Sequence, residues 1–455
     1  STEAASVRGG KAVAIPGTVA GLCFAAKEYG TLPLKTLLEP AIRLASEGVP
    51  VDRHDIGVQS SSLKKFDIHD GYETKFAALK SLYLNSGERW KSGDRFDSPL
   101  ETVLQKIAAN GPSAFYEGEV ADAIVKAVSE SGGILTTDDL ANTNPVMREA
   151  LRGTFHSSIV YAMPPASSGG VALLQTMQSL EEWENRSGRS LNSLQHNSAD
   201  YVHVVAEAMK HAFADRAEFL GDTDFVDVPV KRMLAAEYAT QIATRIDVSK
   251  TLPSESYGRF FAAADAGTSH FSVIDKAGNA VACTETINLT FGSFVVVPEY
   301  GIVLNNQIDD FAARPGEPNA FGLMQSEANA IAPGKKPLSS MTPTIVVRDG
   351  KAVFASGASG GPRIISATIQ ATLNHLVFGM DPKSAVSAPR FHHQWFPNEL
   401  LLEPKLFDKL AQELKAKGHE IVENLSLAAN QSASLTKDGL QGGADPRREG
   451  VAAGE

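Results

Sequence analysis

From Thr268 to Thr286 the sequence reads TSHFSVIDKAGNAVACTET. Two runs of alternating residues, rich in β-branched side chains, flank the turn Lys276-Ala277-Gly278-Asn279, and this pattern predicts a β-hairpin. A hydroxyl residue stands at the first position of the first strand, directly after Gly267 and an alanine-rich stretch. If the chain is cut before Thr268, the freed α-amine can act as the base for the threonine's own hydroxyl. The stretch therefore predicts a hairpin that opens on a candidate nucleophile.

Length and composition define the broad class of the protein. With 455 residues, the chain predicts two domains or one large layered domain, and 43% hydrophobic with 21% charged residues is typical of a globular protein. The formal net charge of −11 argues against nucleic acid or an anionic membrane as the main partner. The two cysteines, Cys23 and Cys283, exclude a disulfide framework and a multi-cysteine zinc site. No apolar run in the sequence approaches the length of a membrane span.

Helical and strand patterns are segregated along the chain, which favours an α+β fold over a doubly wound sheet. Before the linker predicted at 249–267, apolar residues recur mostly at helical spacing, and after Thr268 short β runs predominate. The predicted helices are 17–29, 34–47, 100–110, 117–131, 171–183, 198–220, 363–378 and 405–417, and the stretch Thr136-Thr137-Asp138-Asp139 predicts a further helix N-cap with acidic residues in the first turn. The predicted strands are 153–163, 271–275, 280–286, 294–297, 302–305, 344–347, 352–356, 420–423 and 432–436.

A glycine-rich loop, Gly357-Ala358-Ser359-Gly360-Gly361-Pro362, separates a predicted strand from a predicted helix. Backbone N–H groups at such a junction point at whatever lies in front of the helix, which suits an oxyanion or a carboxylate. The loop also matches the Gly-x-Ser-x-Gly nucleophile elbow of α/β-hydrolases, for which Asp408 and His419 follow in the required order. Against this alternative, the alternating β and α units that build such a sheet are absent upstream.

Three residues of one predicted helix, His203, Glu207 and His211, have the i, i+4, i+8 spacing of a metal-binding face. The same helix also carries an apolar side, so the polar flank of an amphipathic helix explains the three residues without a metal. We therefore predict no metal site.

Two polar segments lie among the strands of the second half. Residues 305–311 offer side-chain donors and acceptors for a substrate ammonium, and residues 337–343 form a loop rich in hydroxyls. Taken singly, the two segments are better explained as an Asx-bonded turn and an ordinary Pro/Ser loop. We assign these two segments a function only in combination with the other motifs.

Taken in order, these segments resemble γ-glutamyltranspeptidase (γ-glutamyltransferase), a family of N-terminal-nucleophile hydrolases. The resemblance runs nearly end to end, and so many motifs in one order make it specific. The matching motifs are TSH at 268–270, TINLTFG at 286–292, NNQIDDF at 305–311, PLSSM at 337–341 and APRFHHQW at 388–395, with PGTVAG at 16–21 and MPPASSGG at 163–170 upstream.

The resemblance implies a four-layer αββα sandwich and a precursor that cuts itself before Thr268. The products would be a large-subunit region, 1–267, and a small-subunit region, 268–455. The Thr268 hydroxyl would attack a γ-glutamyl amide such as glutathione, and the acyl-enzyme would pass to water or to the amine of an amino acid or peptide. Thr286 would tune the nucleophile, and Gly360 and Gly361 would form the oxyanion hole. No cofactor and no nucleic acid is implied.

The resemblance also assigns the substrate-binding residues. Asn288, Gln307 and Asp310 would hold the substrate α-ammonium, and Ser339 and Ser340 its α-carboxylate. The division is chemically sensible, because carboxylate and amide oxygens accept from an ammonium whereas hydroxyls donate to a carboxylate.

Two departures from the family pattern matter. Family members carry a segment before the present first residue, with an arginine that clamps the substrate α-carboxylate, and we expect that segment to be omitted from this sequence. Phe321 stands where bacterial relatives often carry a tyrosine on the loop that covers the site, 310–322. The presence of this lid loop argues against the runner-up, a cephalosporin (glutaryl amide) acylase. An inactive homologue is a third alternative. The resemblance to bacterial relatives also implies a periplasmic or secreted location.

Overall fold

The computed structural model describes residues 5–258, 268–312 and 326–454. They form two compact units: unit 1 is Ser1–Met147 with Thr286–Asp309, and unit 2 is Arg148–Glu285 with Asp310–Glu455. Each unit therefore draws on both of the regions expected to lie on either side of the cut. Among the described residues, no helix is long and apolar enough to cross a membrane. Elements are numbered in chain order.

Unit 1 is mostly helical. Its helices are α1 (Thr18–Tyr29), α2 (Leu34–Glu47), α3 (Arg53–Ile68), α4 (Tyr72–Lys75), α5 (Ala77–Tyr83), α6 (Glu101–Asn110), α7 (Ser113–Tyr116), α8 (Gly118–Glu130) and α9 (Thr137–Ala141). The predicted N-cap at Thr136 is confirmed, since Thr136 and Asp139 form a capping box at the start of α9. Short strands pair as β1 (Val49–Pro50) with β2 (Arg95–Phe96) and β7 (Val296–Val297) with β8 (Ile302–Val303).

An aromatic cluster fixes the second segment of unit 1 on its helices. The Phe294 ring lies 6.0 Å from that of Phe66, 6.1 Å from that of Tyr72 and 5.6 Å from that of Phe76, measured between centroids. Such pairs contribute about 0.5–1.5 kcal/mol each beyond the burial of their surface. Arg8 completes the cluster, because its guanidinium lies 4.0 Å above the Phe294 ring and donates to the Gly292 carbonyl. These contacts position the residues on either side of Phe294.

Unit 2 is built on a six-stranded sheet with the order β15-β14-β10-β9-β4-β3, in which every strand pair is antiparallel. The strands of unit 2 are β3 (Leu151–Phe155), β4 (Ser158–Ala162), β5 (Thr268–Ile274), β6 (Ala280–Thr286), β9 (Thr344–Arg348), β10 (Lys351–Ser359), β11 (Phe391–His392), β12 (Glu399–Leu402), β13 (Glu420–Glu423), β14 (Ala429–Thr436) and β15 (Gly439–Ala444). Its helices are α10 (Gly169–Ser187), α11 (Ala199–Phe219), α12 (Val230–Met233), α13 (Ala236–Ala243), α14 (Arg363–Leu376), α15 (Pro382–Ser387) and α16 (Pro404–Ala416).

Strand β10 separates two layers of unit 2. Phe354 stacks on His375 of α14, with ring centroids 4.4 Å apart, and Ala358 packs on the same helix. Gly357 points the opposite way, against His270 of β5. This alternation follows from the two-residue period of a strand. Helices therefore cover one face of the sheet, and the β5–β6 hairpin packs on the other.

The mixed helix-and-sheet fold expected from the sequence is confirmed. The β5–β6 hairpin is also confirmed, as are α1 and α2, which begin and end within one residue of their predicted bounds. The single strand predicted at 153–163 is wrong, because the chain turns at His156 and forms the β3–β4 hairpin. His156 adopts a φ of 49° in this turn, which no glycine, asparagine or proline announces in the sequence.

Candidate active site

Thr268 is the first residue of β5, and only 8% of its surface is exposed. Strand β5 packs against β10 and β14 of the large sheet. Thr268 is thus a buried residue of a half-buried strand rather than part of a surface turn. Gly267 and the other predicted linker residues from 259 onward lie outside the described residues.

His270 fixes β5 against β10. Its Nδ1 lies 2.8 Å from Thr284 Oγ1 on β6, and its Nε2 lies 3.0 Å from Ser272 Oγ. A Cβ atom at Gly357 of β10 would overlap the imidazole ring. Burial lowers the pKa of His270 to about 3, so the ring is neutral at pH 7. Two strands therefore meet through a neutral, hydrogen-bonded ring at a position that only glycine accommodates.

Gly360 and Gly361 lie where β10 ends and α14 begins. Their φ angles are +134° and +58°, and a Cβ at Gly360 would come within 2.9 Å of Ala428. Another residue at either position would be strained, which explains the Gly-Gly pair in physical terms. The carbonyls of Gly360 and Gly361 accept from Arg363 and Ile364 of the first helical turn. The backbone thus turns sharply in front of a helix N-terminus, a geometry suited to an oxyanion.

The nucleophile-elbow alternative is wrong for this loop. An α/β-hydrolase elbow requires a parallel sheet, whereas β10 pairs antiparallel with both β9 and β14. Ser359 is buried within the pairing with β14, opposite Ala429. His419, expected as the third triad member, is instead hydrogen-bonded to His203.

The Ser339–Ser340 loop rests on the residues that precede α10. Ser167 Oγ donates to the Met341 carbonyl at 2.6 Å, and Ser168 donates to the Ser339 carbonyl from its Oγ at 2.6 Å and from its N at 2.8 Å. Ser339 Oγ accepts from the Met341 N–H at 3.1 Å. The two serines of the MPPASSGG motif therefore have a structural role, because they hold the hydroxyl-rich loop in place.

Sequence reasoning missed two residues next to this loop. Arg216 of α11 is 1% exposed and donates to both Ser168 and Ser340. Asn329, fully buried, donates from Nδ2 to the Asp310 carbonyl at 2.7 Å and accepts from the Leu338 N–H at 3.0 Å. Asn329 therefore links Asp310 to the Ser339–Ser340 loop. The contacts of Arg216 join residues 48 and 124 positions apart, so its partners could not be identified from local sequence patterns.

Two candidate residues of unit 1, Thr286 and Asn288, are linked by a hydrogen bond. Thr286 Oγ1 accepts from the Asn288 N–H at 2.9 Å, and Asn288 Nδ2 donates to the Asn306 carbonyl at 3.0 Å. Asn306 Oδ1 in turn accepts from the Leu289 N–H at 3.0 Å. Asn288 has a φ of 72°, a conformation that asparagine tolerates better than most residues. The predicted residues Thr286 and Asn288 are thus brought together, and Asn306 is their anchor.

Gln307 follows directly in the same segment. Its N–H donates to Asn305 Oδ1 at 3.0 Å, and Asn305 is tied to Ala14 by two further hydrogen bonds. Within the described part of the chain, the buried atoms Gln307 Oε1 and Asn306 Nδ2 have no hydrogen-bond partner. An acceptor and a donor without partners in one buried turn are the expected features of a polar binding site.

The three residues weighed as a metal site lie on α11, which is buried along almost its whole length. The prediction that they form an exposed polar flank is wrong, since His203, Glu207 and His211 are at most 5% exposed. Ligand atoms of His203, Glu207 and His419 lie within 4.8 Å of one another. His203 Nε2 lies 2.7 Å from the Asp247 carbonyl and therefore donates to it, which leaves Nδ1 to accept from His419 Nε2 at 2.7 Å.

Glu207 is held by its own donors. Its carboxylate accepts from Lys210 Nζ at 2.8 Å, from Thr251 Oγ1 at 2.7 Å and from the Tyr257 hydroxyl. Lys210 and Glu207 form a fully buried ion pair. A carboxylate already bound by an ammonium and two hydroxyls is a poor cation ligand, so this geometry favours a structural hydrogen-bond network.

The lid residue Phe321 and the surrounding residues 313–325 lie outside the described residues.

Comparison with known proteins places the chain in a family. A family model described as gamma-glutamyltranspeptidase matches residues 1–455. A glutathione hydrolase proenzyme of Escherichia coli is 41% identical over 438 residues, which cover 95% of this chain and 73% of the relative. A glutathione hydrolase proenzyme of Pseudomonas aeruginosa is 38% identical over 454 residues, covering 99% of this chain and 78% of the relative.

Among solved structures, a cephalosporin acylase from Bacillus halodurans matches 97% of this chain and 78% of its own, with a TM-score of 0.85 and 26% identity. The chain therefore shares its fold with this acylase, whereas its sequence relationship lies with the glutathione hydrolases. The chain belongs to the γ-glutamyltranspeptidase family.

Proposed function

We propose that this protein is a γ-glutamyltranspeptidase and glutathione hydrolase that matures by cutting itself before Thr268. The observation that carries the proposal is the position of Thr268, a buried hydroxyl at the first residue of a strand packed against β10. Cleavage would give the regions 1–267 and 268–455 of one αββα sandwich. The resemblance to bacterial members supports a periplasmic or secreted location for the mature protein.

The chemistry follows from a free N-terminal threonine. Thr268 Oγ attacks the γ-carbonyl carbon of the donor while the α-amine takes up the hydroxyl proton. The tetrahedral oxyanion is stabilised by the backbone N–H groups of Gly360 and Gly361. When the intermediate collapses, the C–N bond breaks and the protonated α-amine returns a proton to the leaving amine. Water or an acceptor amine then attacks the acyl-enzyme by the same steps.

Substrate recognition is assigned to two polar groups of residues. Asn288, Gln307 and Asp310 take the α-ammonium, and the buried Gln307 Oε1 without a partner supports this role. Ser339 and Ser340 take the α-carboxylate, supported by the fixed geometry of their loop. Thr286 tunes the nucleophile, and the family resemblance assigns Phe321 the role of an apolar lid residue.

A glutaryl amide acylase is the second candidate, because the cephalosporin acylase of Bacillus halodurans has the same fold at a TM-score of 0.85. The two functions differ in the α-ammonium of the donor, which a glutaryl group lacks. Turnover of γ-glutamyl anilide and glutaryl anilide by the purified protein separates them. A kcat/KM at least tenfold higher for the γ-glutamyl donor supports the transpeptidase, whereas the reverse preference supports the acylase. Turnover of neither donor would indicate an inactive homologue.

A further inference from the structure

Arg216 is a buried cation that the proposed reaction does not use directly. It lies in the last turn of α11 and is among the largest fully buried side chains. Burial lowers the pKa of Arg216 to about 10 and the charge of Asp310 raises it, so the guanidinium remains protonated at neutral pH. A charge in such a place is costly unless something compensates it.

The hydrogen-bond partners of Arg216 are neutral. Its Nε donates to Ser168 Oγ at 2.9 Å and its Nη2 to Ser340 Oγ at 3.3 Å. Within the described part of the chain, the buried Nη1 has no hydrogen-bond partner. Arg216 therefore contributes a positive charge, only partly compensated, directly behind the hydroxyl of Ser340.

This arrangement also determines what the two serines can do. Ser340 Oγ accepts a hydrogen bond from Arg216, and Ser339 Oγ accepts one from the Met341 N–H. Each oxygen is thus used as an acceptor on its protein side, so each hydroxyl hydrogen is available to an acceptor on the other side. A hydrogen bond received from a cation also strengthens the hydroxyl as a donor. Both serines are set up to donate to an anion.

We propose that Arg216 is a positioning residue for the α-carboxylate subsite: it holds Ser340 as a hydrogen-bond donor and supplies positive charge behind it, without touching the substrate. The inference rests on the proposed function, because it takes the anion to be the α-carboxylate of a γ-glutamyl donor. Ser168 belongs to the same hydrogen-bond network, since its hydroxyl accepts from Arg216 and donates to the Ser339 carbonyl.

Three anilide donors separate this role from a merely structural one. The γ-glutamyl donor has both the α-ammonium and the α-carboxylate, the glutaryl donor lacks the ammonium, and the 4-aminobutyryl donor lacks the carboxylate. In Arg216→Gln we expect KM to rise about 10- to 100-fold for the two donors that keep the carboxylate, the range for loss of a charge-assisted interaction. For the 4-aminobutyryl donor we expect a change of less than about threefold, and Arg216→Lys should lie between wild type and Arg216→Gln.

Arg348→Gln is the matched control, because exposed Arg348 also donates from Nε to a serine hydroxyl, that of Ser158, at 2.9 Å. Its KM values should equal those of wild type. Equal shifts for all three donors in Arg216→Gln, or no shift, would overturn the inference. If Arg216→Gln fails to fold, Ser168→Ala gives the same test, with about a 3- to 10-fold rise confined to the carboxylate donors. A wild type inactive on the γ-glutamyl donor would instead refute the proposed function itself.

Discussion

His270 lies directly against the backbone of Gly357, so that the strand that begins with Thr268 and the strand that ends at Ser359 meet across this contact. The ring has no room to withdraw, because Thr284 and Ser272 hold its two nitrogens. The spacing between the candidate nucleophile's strand and the candidate oxyanion loop therefore depends on glycine, which has no side chain, at position 357.

We expect Gly357→Ala to force β5 away from β10. Overpacking of this kind costs about 1–3 kcal/mol, and cleavage before Thr268 should slow with it. Urea unfolding and the cleaved fraction on a denaturing gel measure the two effects. Gly57→Ala, within α3 and with no atom near its added Cβ, is the control and should be neutral or slightly stabilising. Unchanged stability and cleavage in Gly357→Ala would show that the two strands do not need this contact.

Thr286 offers a second test, because its hydroxyl accepts the Asn288 N–H. Thr286→Val preserves the shape but leaves that N–H without its acceptor and removes the hydroxyl expected to tune the nucleophile. We expect kcat for the γ-glutamyl anilide to fall about 10- to 100-fold, and Thr286→Ser to stay within about threefold of wild type. Steady-state kinetics on both variants decide the point. A Val variant as active as the Ser variant would contradict the assigned role.

The buried histidines predict how stability depends on pH. Burial, with the charges of Lys210, His203 and Lys417, lowers the pKa of His419 to about 2. An unfolded histidine titrates near pH 6.5, so the unfolded chain binds more protons than the folded protein below that pH. The free energy of unfolding should therefore be insensitive to His419 above about pH 6.5 and fall as the pH drops below it, by at most about 1.4 kcal/mol per pH unit for this group.

His419→Gln tests this prediction, since the amide can still donate to His203 Nδ1. Between pH 7 and pH 5 the variant should lose less stability than wild type, measured by denaturant unfolding at each pH. If wild type and variant lose the same stability between pH 7 and pH 5, His419 does not contribute to the pH dependence, and the prediction is wrong.

The sequence predicted those parts of the fold that local patterns specify. The alternating residues and the Gly278-Asn279 turn were sufficient to predict the hairpin at Thr268. Two threonines followed by two aspartates were sufficient to predict the helix cap at Thr136. The β3–β4 turn was missed because His156 takes a positive φ without any glycine to indicate it.

Long-range partners explain the remaining differences. The sequence predicts a solvent-facing flank for the polar residues of α11, yet His203 is hydrogen-bonded to His419 and Glu207 to Thr251, both far away in sequence. Arg216 was not predicted for the same reason, because its role depends on hydrogen bonds to Ser168 and Ser340, which are distant in sequence. Several charged or polar residues in a long, otherwise apolar helix are the signal that could have indicated buried networks.

The most direct test of the account is an intact mass and N-terminal sequence of the purified wild type and of Thr268→Ala. We predict two fragments for the wild type, one of which begins with Thr268, and a single uncut chain for the variant, with γ-glutamyl anilide turnover in the wild type alone. A wild type that turns over the donor as one uncut chain would contradict the N-terminal threonine mechanism. A variant cut at the same bond as rapidly as wild type would contradict self-cleavage by Thr268.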